Sequence, residues 1–268
     1  MVQEEICLLN VMNDMKGLKI LNEYFDKIFV ITLRRSHDRQ EKINRQLADI
    51  DFEYFYGVDK LNLTMEGVVK DKVYDPVRAK KMHRNSKTMN LGQVGCALSH
   101  RTLYQHILEK GYNRVLIMED DLVPAVKDDE TLRSIISESP ENWELIYWGY
   151  YLNEHTTPKM KLKQYYYYLL AALRVIKWTP AQVSRLYPEN YSKHLRRAGF
   201  HNTTHAYAVT RPALQKLIDE QTPVAYNSDT LLTQLVLDGN LNAFITVPKV
   251  FEQEIFMEGG SKVSYLSD

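Results

Sequence analysis

Three consecutive carboxylates, Glu119, Asp120 and Asp121, are the residues whose types and spacing most clearly suggest chemistry. They follow the apolar run 115–118, which is too short for an ordinary helix and is typical of a buried strand. Adjacent acids at the end of a core strand repel one another and lose hydration, and a divalent cation with oxygen ligands offsets both effects. Because side chains alternate along an extended segment, we expect Glu119 and Asp121 to hold Mg²⁺ or Mn²⁺ together while Asp120 faces the other side. A strand that simply ends in solvated acids is the alternative.

A basic turn is the second candidate site. Arg35, Asp38 and Arg39 follow the apolar run 27–33, at a point where a helix is expected to begin. Ligands of open α/β sheets bind beyond the carboxyl ends of strands, so these guanidinium groups can meet phosphate there, helped by the helix N-terminus. A solvated turn paired with Asp38 is the alternative. The chain has no Gly-rich dinucleotide fingerprint and no Lys-Ser/Thr phosphate loop, which argues against a nicotinamide enzyme and a phosphate-loop ATPase.

A third candidate segment begins with small residues at 95–97 and continues to Ser99 and His100. Small residues at the start of a predicted helix allow it to approach another backbone or a ligand closely. Ser99 and His100 then lie in the early turns of that helix. Packing in the core explains this segment equally well.

The elements that must position these residues alternate between strands and helices. Strands are predicted at about 27–33, 52–56, 114–118, 145–149, 204–210 and 242–247, and helices at about 37–48, 90–110, 212–218 and 229–237. The strand–helix–strand unit over 27–56 implies a parallel strand pair. The whole alternation predicts an α/β fold with a mostly parallel sheet flanked by helices.

Two segments depart from this alternation. Residues 1–24 have apolar positions at roughly helical spacing and are interpreted as an N-terminal helical extension of a domain that spans 25–268. Residues 151–203 are interpreted as a basic, Tyr-rich helical insertion, in which lysines and arginines accompany the tyrosines at 165–168 and Trp178. Such a composition suits the surface of an anionic membrane, and a helical lid or an oligomer contact is the alternative.

Composition narrows the class of protein. The 268 residues include 34 Lys and Arg against 34 Asp and Glu, so the chain lacks the basic excess of a nucleic-acid-binding protein. Cys7 and Cys96 form neither a disulfide framework nor a zinc pattern, which is typical of a reducing compartment. No apolar run is long enough to span a membrane, and the acidic start is unlike a signal peptide. We therefore expect a cytoplasmic protein, and a peripheral position on the inner face of the cytoplasmic membrane is compatible with the insertion.

Five segments, taken in this order, resemble glycosyltransferase family 25. The segments are 29–39, 54–59, 91–100, 116–121 and 204–207. The family comprises bacterial lipopolysaccharide and lipooligosaccharide glycosyltransferases and is related to collagen galactosyltransferases. The resemblance covers about 26–150 and 200–260, and its most specific part is the Gly-Cys-Ala-Leu-Ser-His block at 95–100, which precedes the strand that ends in Glu-Asp-Asp.

The resemblance implies a GT-A-like, Rossmann-type fold, a divalent metal, an inverting reaction and a nucleotide-sugar donor, usually UDP-galactose. It also implies that Asp121, with Glu119, contacts the donor diphosphate through the metal. Asp59, at the end of the second predicted strand, is placed to accept a hydrogen bond from a ribose hydroxyl. The candidate donor-binding residues are Thr32, Leu33, Arg35, Arg39, Asp59, Ser99, His100 and Asp120.

An acceptor hydroxyl also needs a general base on the opposite face of the donor sugar. Asp229, at the start of a predicted helix, is the first catalytic candidate, and His205 is the second. Alternatively, Asp229 stabilises the helix dipole, and His205 is a hydrogen-bonded core residue. The tail 252–254 can close over the diphosphate or add a metal ligand, but it lacks the histidine that many GT-A enzymes take from their C-terminal part.

These features predict a metal-assisted glycosyltransferase. It is expected to move a hexose, with galactose favoured, from a UDP-sugar to a glycan or a lipid-linked glycan acceptor. The alternatives are a non-catalytic carbohydrate-binding protein on a transferase fold and a metal-dependent phosphohydrolase. The intact acidic triplet argues against the first, and the second requires more clustered metal ligands than this sequence has.

Overall fold

An eight-stranded sheet forms the centre of the molecule, within the residues 17–83 and 85–256 that this computed structural model describes. In chain order the strands are β1 (Lys27–Thr32), β2 (Glu53–Tyr56), β3 (Arg114–Glu119), β4 (Leu122–Pro124), β5 (Leu145–Tyr151), β6 (Glu189–Asn190), β7 (Leu195–Arg197), β8 (Asn202–Thr210), β9 (Ala243–Thr246) and β10 (Phe251–Gln253). The spatial order of the central sheet is β2-β1-β3-β8-β5-β9-β7-β6, and β4 and β10 form a separate two-stranded sheet.

Six of the eight strands in the described central sheet point in one direction. β1 is parallel to both β2 and β3, and β5 is parallel to β9, whereas β8 and β7 run antiparallel to their neighbours. The predicted α/β fold with a mostly parallel sheet is therefore confirmed, including the parallel β1–β2 pair. The two reversed strands are a feature that the alternation of elements does not predict.

Helices cover both faces of this sheet. They are α1 (Ile20–Tyr24), α2 (His37–Gln46), α3 (Met65–Lys70), α4 (Pro76–Met82), α5 (Leu91–Lys110), α6 (Asp129–Glu138), α7 (Pro158–Ala172), α8 (Pro180–Ser184), α9 (Arg211–Glu220) and α10 (Ser228–Asp238). The four predicted helices correspond to α2, α5, α9 and α10. The short helices α3 and α4 lie in the polar segment 60–90, whose apolar positions have no helical period.

Alternation along β3 divides the core into two layers. Val115 and Ile117 pack on the side of α5, α9 and α10, while Leu116 and Met118 pack on the side of α1, α2 and α6. Glu119 continues the first face, so its side chain is directed toward α5. Glu119, the last residue of β3, thus faces one layer, and Asp120, the residue after it, faces the other.

The start of α5 comes unusually close to the loop after β2. Asn90 and Gln93 form a reciprocal capping box that starts the helix, and Gly111 in the left-handed conformation, with a φ of 78°, ends it. A Cβ on Gly95 would lie 2.9 Å from the carbonyl oxygen of Val58. The prediction that small residues allow close backbone approach is therefore confirmed.

The chain returns to the acidic triplet through β10. This strand pairs antiparallel with β4, with Gln253 opposite Leu122, and the backbone N–H of Glu254 donates to Asp121 O at 2.8 Å. The sequence does not predict β10, because three residues are too few for a period of two to be recognised.

The two segments outside the predicted alternation have different outcomes. Residues 1–16 of the predicted helical extension lie outside the described residues, while the part from Gly17 to Tyr24 is helical and buries Leu18 and Leu21 in the core. In the segment 151–203, α7 and α8 are helical, and the chain then rejoins the sheet through β6 and β7. Among the described helices, none combines the length and the apolar character that a membrane crossing requires.

Candidate active site

A cavity of about 460 Å³ opens beyond the carboxyl ends of β1 and β3. This edge is where open α/β sheets bind their ligands. All ten residues predicted to bind donor or metal line the cavity, namely Thr32, Leu33, Arg35, Arg39, Asp59, Ser99, His100, Glu119, Asp120 and Asp121. Neither Asp229 nor His205 is among the described residues that line it.

Asp120 is an internal anchor on the α2 side of the sheet. Thr32 Oγ1 donates to Asp120 Oδ2 at 2.6 Å, and Arg39 Nη1 donates to Asp120 Oδ1 at 2.8 Å. Burial raises the pKa of Asp120, although both of these donors favour the ionised form. Asp120 therefore orients Arg39 toward the cavity, and it faces the layer opposite Glu119, as alternation predicts.

Glu119 is held in its ionised form on the α5 side. Its Oε1 accepts a hydrogen bond from Thr204 Oγ1 and lies 3.3 Å from His100 Nε2. Burial acts to raise the pKa of Glu119, but the contacts from His100 and Thr204 outweigh it and hold that pKa below its ordinary value. The His100 ring is oriented in turn by Tyr207, whose hydroxyl lies 2.7 Å from His100 Nδ1.

Asp121 retains an unused oxygen. Gln253 Nε2 donates to Asp121 Oδ2 at 2.9 Å, but Oδ1 is buried and has no hydrogen-bond partner among the described residues. Burial, with the neighbouring charge of Glu119, raises the pKa of Asp121 to about 7. A buried carboxylate oxygen without a partner is satisfied by a proton or by a cation, so the site fits a divalent metal.

A second donor set shares Glu119. Ligand atoms of Cys96, His100 and Glu119 all lie within 4.8 Å of one another. Sulfur and imidazole donors suit zinc and softer metals, whereas the oxygens of Glu119 and Asp121 suit Mg²⁺ or Mn²⁺. Burial raises the pKa of the Cys96 thiol, which disfavours the thiolate that a soft metal needs. The oxygen set is therefore the better fit.

Three basic side chains of the cavity, Arg35, Arg39 and Lys42, each contact an acid. Arg35 Nε pairs with Asp59 Oδ2, and the hydrogen bond from Arg35 is the main reason that the pKa of Asp59 lies below its ordinary value. Lys42, which is not among the residues predicted from the sequence, pairs with Glu254 of the tail. Helical spacing could have identified Lys42, since it lies three residues after Arg39 and so shares a face of α2 with it.

Ser99 forms two hydrogen bonds within the cavity wall. Its Oγ donates to Gly95 O at 2.7 Å and accepts from the backbone N–H of Val58 at 2.8 Å. These two bonds fasten the loop that carries Asp59 to α5. A direct role of Ser99 in donor binding stays a prediction.

His205 is enclosed in the core. Its Nε2 lies 3.2 Å from the carbonyl oxygen of Phe251 and therefore donates, which leaves Nδ1 to accept from Thr203 Oγ1 at 2.7 Å. Burial lowers the pKa of His205, so the neutral ring is favoured. With both nitrogens engaged, His205 is poorly placed to take a proton from an acceptor.

Asp229 lies in the first turn of α10, close to the α5 side of the acidic cluster. Ser228 Oγ is 3.6 Å from Cys96 Sγ, which belongs to the cavity wall. Asp229 Oδ1 accepts from the backbone N–H of Thr230 at 2.7 Å. Burial, with a smaller effect from the charge of Glu119, raises the pKa of Asp229. Tertiary structure thus brings this carboxyl group near Glu119 although the two are distant in sequence.

A family model matches most of the chain. Residues 25–232 match the model described as glycosyltransferase family 25 (LPS biosynthesis protein). The match includes every strand from β1 to β8 and the acidic triplet.

Curated relatives match a smaller part. A glycosyltransferase 25 family member of Drosophila melanogaster is 31% identical over 129 residues, which are 46% of this chain and 21% of that protein. Human procollagen galactosyltransferase 2 is 27% identical over 130 residues (47% and 21%), and human inactive glycosyltransferase 25 family member 3 is 28% identical over 134 residues (47% and 22%). The matched region spans about a fifth of the length of these relatives.

Proposed function

The chain belongs to glycosyltransferase family 25, and from this membership we propose that it transfers a hexose from a nucleoside-diphosphate sugar to a hydroxyl group of a glycan. The observation that carries the proposal is that carboxylates and cationic side chains line the same cavity. Asp121 and Glu119 offer carboxylate oxygens there, beside the cations of Arg35, Arg39 and Lys42. This combination matches a diphosphate that binds together with a divalent metal.

Arg35 and Arg39 are the proposed contacts for the diphosphate. Arg35 already pairs with Asp59, a carboxylate of the cavity, so a diphosphate can replace that acid as the partner without leaving this guanidinium unpaired. Release of Arg35 from Asp59 would free the Asp59 carboxylate for the ribose hydroxyls. Thr32 and Asp120 keep Arg39 in place during this exchange.

Glu119 and Asp121 would hold Mn²⁺ or Mg²⁺. Such an ion supplies neutralisation of the charge that develops on the diphosphate leaving group. Asp121 must give up its proton to act as a ligand, so metal affinity is expected to rise with pH. Gln253 orients Asp121 from the tail and leaves its second oxygen without a partner among the described residues.

Asp229 is the proposed general base. The acceptor oxygen would bond to the anomeric carbon as the bond from that carbon to the diphosphate breaks, and the acceptor proton would pass to the Asp229 carboxylate. Its raised pKa suits a base that works near neutral pH better than an ordinary carboxylate does. We prefer Asp229 to His205 because the ring of His205 has no nitrogen left for an acceptor.

Galactose is the sugar to test first, because one relative is named a procollagen galactosyltransferase. The experiment incubates the purified chain with a panel of UDP-sugars and glycan acceptors, with and without Mn²⁺, and measures UDP release and donor binding separately. Release of UDP that requires both acceptor and Mn²⁺ supports transfer. Binding without release would indicate a non-catalytic carbohydrate-binding protein, in keeping with the relative named inactive. Failure to bind any UDP-sugar would contradict the proposal.

A further inference from the structure

Helix α7 has two apolar faces, and one of them packs against the protein. The packed face touches a small cluster that includes Val183 of α8 and Leu237 of α10. Gln164 Nε2 reinforces this contact by donating to Val183 O at 2.7 Å. The packed residues are Tyr167, Tyr168 and Ala171. Because this side is fixed, the orientation of the opposite side is fixed as well.

The opposite face carries large apolar side chains that are open to solvent. They are Leu162, Tyr165, Tyr166, Leu169 and Leu173. Leu162 is 72% exposed and Tyr165 is 71% exposed. At 3.6 residues per turn, these five positions fall within one stripe about 100° wide. A continuous apolar stripe of this kind on a protein surface indicates an interaction site.

The stripe is bordered by cations. Lys161 and Lys163 project about 100° to either side of its centre, and Lys159 lies near its first turn. All three lysines are exposed. The whole segment 155–188 contains six Lys and Arg residues and no Asp or Glu. The surface therefore combines apolar contact area with an unbalanced positive charge.

A second basic segment lies beside the residues that follow α7. Lys177, which follows α7, donates from Nζ to the carbonyl oxygens of Lys81 and His83 at 3.1 and 2.9 Å. These bonds hold the end of the α7 region against α4, where Lys80 and Lys81 are exposed. Cations from two distant segments thus lie side by side.

We propose that the exposed face of α7 docks on an anionic membrane surface. An apolar stripe flanked by lysines is the pattern of a helix that lies in the plane of the membrane, with its apolar side chains at the headgroup boundary and its cations against lipid phosphates. Tyrosine is favoured at that boundary because its ring is apolar and its hydroxyl is polar. Lysine stems are long enough to reach outward from the stripe.

A protein partner fits this surface less well. The centres of protein interfaces are depleted in lysine, whereas lysines border this stripe closely. Two copies that met through α7 would also bring two acid-free, cationic segments together. An anionic lipid surface instead complements both the charge and the apolar stripe.

Vesicle flotation of the full chain tests the proposal without any nucleotide sugar, so its result is independent of the transferase function. Phosphatidylcholine vesicles with and without phosphatidylglycerol are compared at low and high salt. We expect the protein to float with the anionic vesicles and to bind them less at high salt.

Variants then identify the surface. Replacing Lys159, Lys161 and Lys163 together by Gln should lower anionic partitioning by about a hundredfold, at about fivefold per lysine. The matched control replaces the exposed Lys110, Lys127 and Lys193 by Gln and should partition like the wild type. The combination Leu162→Ser, Tyr165→Ser and Leu169→Ser should also lose binding, while Met65→Ser with Val69→Ser should retain it. Unchanged far-UV circular dichroism excludes misfolding in each variant.

Three results would overturn the proposal. The first is that the wild type fails to float with anionic vesicles. The second is that the α7 lysine variant binds these vesicles as well as its control does. The third is that light scattering shows a dimer for the wild type and a monomer for the α7 apolar variant, while neither the wild type nor this variant binds vesicles. That last result would assign the surface to a second copy of the chain.

Discussion

Glu119, Asp120 and Asp121 are neighbours in sequence, but their carboxyl groups have three different sets of partners. Burial acts to raise the pKa of Glu119, but contacts from His100 and Thr204 hold it below its ordinary value, and Asp120 is anchored between two donors. Only Asp121 keeps a buried oxygen without a partner among the described residues. The three acids therefore have separable roles, and single substitutions can distinguish them.

Asp121→Asn should remove most of the metal affinity. Gln253 can still donate to the amide oxygen, so the fold is expected to persist, but the substituted side chain loses its charge. We expect Mn²⁺ affinity, measured by calorimetry, to fall by at least about a hundredfold and Mn²⁺-dependent transfer to fall with it. Asp38→Asn is the control, because Asp38 also lines the cavity but lies outside the triplet. Mn²⁺ binding of wild-type strength in Asp121→Asn would refute the assignment.

Asp229→Asn should abolish transfer and spare donor binding. The amide oxygen can still accept from Thr230, so the start of α10 is retained, but it cannot take a proton. We expect the rate to fall by about 10²–10⁴-fold with donor affinity unchanged. Asp219→Asn, an exposed acid of α9, should have no effect. If Asp229→Asn turns over at the wild-type rate, the base lies elsewhere.

At the scale of elements, the approach between α5 and the loop after β2 shapes the donor side of the cavity. Gly95 lets the two backbones come together, and Ser99 then fastens them. The tail strand β10 does the same for the metal side, since it brings Gln253 and Glu254 beside Asp121. Each side of the cavity thus depends on one short segment, the loop after β2 or the tail strand β10, that other parts of the fold hold in place.

Gly95→Ala should therefore weaken both fold and site. The added Cβ would lie 2.9 Å from Val58 O, so either α5 or the loop must shift. We expect a loss of about 1–3 kcal/mol in the free energy of unfolding, together with weaker UDP binding because Asp59 moves. Thr102→Ala, at an exposed position of the same helix, is the comparison. Equal stability and equal UDP affinity in the two variants would show that the contact is not close.

At the scale of the whole molecule, the free energy of unfolding should depend on pH because of the buried acids. The pKa of Asp121 is about 7 in the folded protein against an ordinary value of 3.8. The folded state therefore binds this proton more tightly than the unfolded state does. Its contribution to stability is complete below about pH 4 and is lost as pH rises toward and through about 7.

Urea unfolding of the metal-free chain between about pH 4 and about pH 7 tests whether stability falls as pH rises. The wild type should lose stability as pH rises from about 4 to about 7, and Asp121→Asn should lose less, since Asp120 and Asp229 still contribute their own raised pKa values. Saturating Mn²⁺ should reduce the decline in the wild type alone. Parallel curves for the two proteins without metal would contradict the raised pKa.

Much of the fold was predictable because its signals are local. The apolar runs at β1, β3 and β9 and the caps of α5 lie within single segments, and each segment formed the predicted element. Elements without such a signal were missed: α3 and α4 have irregular apolar spacing, and β4 and β10 have only three residues each. The reversed direction of β8 was also missed, since periodicity carries no information on strand direction.

The sequence by itself determined that a buried strand ends in three acids, that Glu119 and Asp120 face opposite layers, and that a basic turn follows another strand end. These follow from alternation along one strand and from short motifs, so they need no knowledge of distant contacts. Only the tertiary structure decided that Thr204 and His100 contact Glu119, that the tail meets Asp121, and that His205 is enclosed while Asp229 approaches the acids. Most of these contacts join segments tens of residues or more apart, and a pattern within one segment does not say which other segment will pack against it.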